Sequence, residues 1–119
     1  MPPDKYLLLE ERGSMGPWFL TFDSLTSKID EPQRSIVVKI WKDNVRLFTR
    51  LASGSSHNHQ AWPGGYWNHV TEGMNFAVEL HAMMSRLRPL DFTLSEALVV
   101  MFLHDIEKPW KYSFDASGN

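Results

Sequence analysis

The segment Asp91-Phe-Thr-Leu-Ser-Glu96, running into Ala97-Leu-Val-Val-Met-Phe-Leu103 and then His104-Asp105, decides how the rest of the chain is read. Thr93 followed three residues later by Glu96 is a capping-box pattern, in which the threonine hydroxyl accepts from the Glu96 amide and the glutamate reaches back to the Thr93 amide. A helix is therefore expected to start at Thr93, with Phe92 placed to pack on Ala97. Taken alone, the apolar run 97–103 fits a buried strand equally well. The cap and the run's place in a longer periodic segment assign it to a helix at the domain centre. Such an apolar surface needs cover, which is expected from the N-terminal segment or from a second copy of the chain. The helix ends on an imidazole and a carboxylate side by side, where an ionised carboxylate is costly to bury unless something pairs with it. A divalent cation is one such partner; backbone groups or a neighbouring arginine are the other.

Upstream, residues 67–88 place Gly73, Phe76, Ala77, Leu80, Met83, Met84 and Leu87 on one stripe at helical spacing, with His69 in its centre and expected to face the interior. Two inward histidines and an aspartate would let two helices bring three ligands to one point. His81 falls at the stripe's edge, where packing is its expected role. Before this helix, Ala52–Tyr66 breaks the period with small residues and Pro63-Gly64-Gly65, a loop that carries His57 and His59. Residues 32–51 form an expected amphipathic helix, capped by Asp30 with Pro32 in the first turn. It holds Ile36, Val37, Ile40, Trp41, Leu47, Phe48 and Leu51 on one broad side. Lys39, Lys42, Arg46 and Arg50 lie opposite and read as a solvated face rather than a phosphate track. In residues 1–31 the apolar runs Tyr6–Leu9 and Trp18–Phe22 flank a turn-rich stretch, which is compatible with a short β-hairpin.

The 119 residues suit one domain, and 43% hydrophobic against 22% charged residues exclude a disordered or low-complexity chain. The division expected is an N-terminal segment, 1–31, and an all-α helical domain, 32–119. With no cysteine, thiolate zinc sites, disulfide scaffolds and cysteine nucleophiles are excluded, so any metal ligand is His, Asp or Glu. A net charge of −2 provides no global field for nucleic acid. No run approaches the ~20 apolar residues that cross a bilayer, and the start lacks the order of a signal peptide, so a cytoplasmic protein without membrane contact is expected.

The stretch His57-Asn-His-Gln-Ala-Trp-Pro-Gly-Gly-Tyr-Trp-Asn-His69-Val, followed by Phe102-Leu-His104-Asp105-Ile-Glu-Lys108, resembles the HD superfamily of metal-dependent phosphohydrolases. The wording is closest to the branch holding the HD-type exoribonucleases and conjugative relaxases. The resemblance covers about residues 50–112 and implies an HD-like helical bundle in which His69, His104 and Asp105 bind a divalent metal: Mn, Mg, Fe, Co or Zn. It implies that Lys108 meets a substrate phosphate as a point charge. Glu107 stands where that motif often has glycine, and either orients a water or is simply solvated. The family's fourth ligand is a later Asp, and the only one after the pair is Asp115. Either Asp115, His57, His59, a partner subunit or water completes the set, or the chain is a shortened form of the module.

The activity implied is metal-assisted hydrolysis of a phosphate ester in a nucleotide or another phosphorylated small molecule, with nucleic acid as a further candidate substrate. A divalent ion lowers the pKa of its water toward about 7 and polarises a phosphoryl oxygen, while Lys108, His57 or His59 offset charge on the phosphoryl group. The alternative is an incomplete, non-catalytic module that binds a nucleotide or a protein partner. Iron-dependent oxygen chemistry, used by some relatives, would need more ligands than the sequence obviously supplies. Covering residues 97–103 with a second copy would make the protein a homo-oligomer.

Overall fold

In a computed structural model of the chain, the structure describes residues 16–50 and 65–106. These form four helices in the order α1 (Phe22–Thr26), α2 (Gln33–Arg50), α3 (Gly65–Leu87) and α4 (Leu94–Leu103). No strand occurs among the described residues; the fold is all-α, as the periodicity predicts.

The cap expected at Thr93 is present in full: its hydroxyl accepts from the Glu96 amide at 3.1 Å, and Glu96 Oε1 accepts from the Thr93 amide at 2.9 Å. The start of α2 differs from expectation. Its side-chain cap comes from Glu31, whose carboxylate accepts from the Ser35 amide at 2.9 Å and the Ser35 hydroxyl at 2.8 Å. The Ser35 amide, then the Ser35 hydroxyl and the Arg34 guanidinium, hold the Glu31 carboxyl below its ordinary range. Asp30 contributes backbone, its carbonyl accepting from Arg34 at 2.9 Å and its amide donating to Ser95 Oγ at 2.8 Å. That second bond ties the start of α2 to the start of α4. Midway, α2 kinks at Asn44 (φ −129°, ψ 16°), whose side-chain amide takes the Ile40 carbonyl at 2.9 Å. A side chain inserted into the helical ladder is an ordinary cause of such a bend.

The expected hairpin is not formed on its described side. Trp18–Phe22 contains no strand: Phe22 already opens α1, with Thr21 as its N-cap. The reason is a competing partner for the backbone. Asn75, buried in α3, accepts from the Leu20 amide at 2.7 Å and donates to the Leu20 carbonyl at 3.1 Å, replacing a neighbouring strand. The other expected arm, Tyr6–Leu9, lies outside the described residues.

At the core, Trp67 is fully buried and stacks on Trp41 with centroids 4.0 Å apart and planes at 18°. Phe22 meets Trp67 edge-on at 4.9 Å and Phe102 does so at 6.4 Å. Rings from α1, α2, α3 and α4 thus share one cluster, completed by Leu25, Val37, Phe48, Val70 and Leu98. From the N-terminal segment, Phe22 of α1 packs on Phe102 of α4 with ring centroids 5.9 Å apart. The expected inward stripe of α3 needs correction. The buried apolar side chains are Tyr66, Trp67, Val70 and Met74, all in its first half, whereas Phe76, Leu80, Met83 and Leu87 are exposed. A helix of 23 residues is about 34 Å long and outruns the ten-residue α4 packed beside it. Ile36, also expected inside, is exposed because Val37 takes the core-facing position of that turn. No described helix is long and apolar enough to cross a membrane.

Candidate metal centre

His69 stands in the second turn of α3, His104 is the C-cap of α4 and Asp105 follows in a turn closed by the Ile106 amide on the Leu103 carbonyl at 3.1 Å. Gly73 lies one turn beyond His69 on the face toward α4, where a Cβ would come within 2.7 Å of Met101 Cε, so glycine leaves room for the end of that flexible side chain.

Asp105 Oδ2 lies 3.2 Å from His69 Nε2 and 3.0 Å from His104 Nε2. The two imidazole centroids are 5.4 Å apart, and one ligand atom from each of the three residues falls within 4.8 Å of the others. The side chains are partly buried, 33%, 30% and 22% exposed for His69, His104 and Asp105. His69 therefore borders solvent at the rim of the α3–α4 contact, while its neighbour Asn68 is the one sealed in the core.

The orientation of His104 is informative. Its Nδ1 lies 2.6 Å from the Met101 carbonyl oxygen, an atom that only accepts, so Nδ1–H donates there. With Nδ1 committed to the backbone, Nε2 is the nitrogen left to ligate, and it lies 3.0 Å from Asp105 Oδ2. An anchored Nδ1–H on a backbone carbonyl is the usual outer-shell arrangement of a metal-ligating histidine. The pair also sits at the carboxyl end of α4, where the helix dipole disfavours a carboxylate and favours a cation. Two imidazoles and a carboxylate suit Zn, Fe, Mn or Co, and the donor set fits a divalent ion.

Of the residues singled out in the sequence, His69, His104 and Asp105 are brought together across 36 residues of chain. His57, His59, Glu107, Lys108 and Asp115 lie outside the described residues. His81 packs, as expected: its Nε2 meets the Phe92 carbonyl at 3.2 Å and its ring lies 5.6 Å from the Phe92 ring. On α2, Lys39 is engaged by Asp43 at 2.8 Å, which raises the lysine's pKa, and Lys42 and Arg46 are solvated. One contribution was missed by the motif, the Met101 carbonyl, and it had a signal, since a residue three positions before a helix-terminal histidine offers it an unpaired carbonyl. No protein-family model, curated protein or solved structure matches the chain.

Proposed function

We propose that this chain is a metal-dependent phosphohydrolase of the HD type, acting on a phosphate ester of a nucleotide, of another phosphorylated small molecule or of a nucleic acid. The observation carrying this reading is the convergence of His69, His104 and Asp105, with His104 Nδ1 held on the Met101 carbonyl and Nε2 3.0 Å from Asp105 Oδ2. These three residues would hold the ion. When bound, it supplies Lewis-acid charge to a phosphoryl oxygen and makes water acidic enough to deprotonate near neutral pH. The chain's own contribution is placement: α3 and α4 fix the donors, and partial exposure leaves room for a substrate phosphate beside them. Lys108, three residues beyond Asp105, and Glu107 follow directly in sequence; in this reading the lysine meets the phosphate and the glutamate orients water.

The test is a hydrolysis screen over nucleotides, cyclic dinucleotides and short RNA with each of Mn, Mg, Fe, Co and Zn, run beside Asp105→Ala and elemental analysis of both proteins. Metal-dependent release of phosphate or nucleotide that falls at least ~100-fold in Asp105→Ala is expected. Bound metal near zero together with no turnover would return the chain to the non-catalytic binding module.

A further inference from the structure

The second half of α3 carries an apolar seam that none of the described residues covers. Phe76, Leu80, Met83 and Leu87 are 60%, 51%, 44% and 79% exposed. They recur at steps of four, three and four residues, the a/d spacing of a helix that pairs with another helix. Phe76 and Leu80 also line an open groove of about 530 Å³ between α3 and α4, together with Ala77, Met84 and Ala97, and Phe92 and Val100 are exposed along it. Single exposed apolar residues are ordinary, but a contiguous apolar surface of this kind marks an interaction site.

Charge says which partner fits. Glu79 and Arg86 are both exposed, stand one heptad apart and flank the seam on the side away from α4. Neither forms an ion pair among the described residues. Opposite charges one heptad apart on one flank cannot reach each other, but they are complementary to the same flank run in the opposite direction.

We propose that a second copy of this chain covers the seam, α3 against α3, antiparallel about a two-fold axis near His81 and Ala82. Residues 76 and 87 are equidistant from that axis, as are 80 and 83. Phe76 therefore meets the other copy's Leu87, and Leu80 meets its Met83. Glu79 of each copy faces Arg86 of the other, twice per dimer. A surface that complements itself in both its apolar layers and its charges is what an isologous contact requires. Parallel pairing sets Glu79 against Met84 of the other copy, which offers no opposite charge. The inference stands independently of the metal centre, whose residues lie on the first half of α3 and the end of α4.

Sedimentation equilibrium of the full chain over roughly 1–100 μM reads the outcome directly. A dimer is expected. Leu80→Glu, at an exposed position that tolerates charge, should give a monomer with unchanged helical circular dichroism. Glu79→Arg should weaken the dimer roughly five- to thirtyfold, since it removes two ion pairs and opposes two arginines. Glu79→Arg combined with Arg86→Glu should restore the wild-type constant. A chain monomeric across the range, a dimer indifferent to Leu80→Glu, or a charge swap that fails to restore association would each overturn the proposal.

Discussion

His104 has an oxygen against each ring nitrogen, the Met101 carbonyl on one side and the Asp105 carboxylate on the other. That placement commits Nδ1 to the backbone and leaves Nε2 beside the carboxylate, the arrangement of a metal-ligating histidine, which is why one side chain weighs so heavily in the functional reading. The motif showed that His104 and Asp105 were adjacent; adjacency says nothing of ring orientation, which follows from the turn after α4. Asn75 is the second decisive residue and carried no sequence signal, since a lone Asn in a helix reads as a surface position. Buried, it bonds both backbone groups of Leu20 and also donates to the Thr71 carbonyl at 2.8 Å. Asn75→Ala strips Leu20 of both partners, and chemical denaturation should show a loss of about 1–3 kcal/mol. Loss below about 0.5 kcal/mol would mean that water replaces the amide without penalty.

At the scale of elements, α4 was the most legible and α3 the most misleading. The cap of α4 is a local event between residues three apart, so sequence specifies it completely. Thr93→Ala should destabilise the protein by about 1 kcal/mol, measured as a shift in the urea midpoint with an unchanged slope. Glu96→Gln, which keeps an acceptor for the Thr93 amide, should cost less. For α3 the apolar period was read correctly and its destination was not. Period tells which residues share a face; it does not tell how far along a helix its neighbours extend. Among the described residues the core along α3 ends near Met74 and Val78, and the stripe runs on past that cover. α1 was lost to a strand reading because Trp18–Phe22 is apolar in short range, and the partner that settles its backbone, Asn75, is 55 residues away in sequence.

On the whole-molecule scale, the four helices are joined by a cluster of rings in which Trp67 touches Phe22, Trp41, Phe48 and Phe102. Trp67→Ala should remove about 3–5 kcal/mol from global stability, whereas Trp18→Ala, at a solvent-exposed ring, should stay within about 0.5 kcal/mol; equal losses in thermal or urea unfolding would contradict this account of the core. The same cluster sets the centre's position, since it fixes α3 against α4 where His69 meets Asp105. By itself the sequence determined the all-α class, the cap of α4 and the exclusion of thiolate chemistry, because each depends on residue type or on spacing within a few turns; the three candidate ligands came from the resemblance of two motifs far apart in the chain. Only the tertiary structure decided that Leu20 lies on Asn75, that His104 stands between the Met101 carbonyl and the Asp105 carboxylate, and that the other described residues leave the far half of α3 open. Those outcomes depend on contacts between residues distant in the chain, and on where each element runs out of neighbours, which no local pattern encodes.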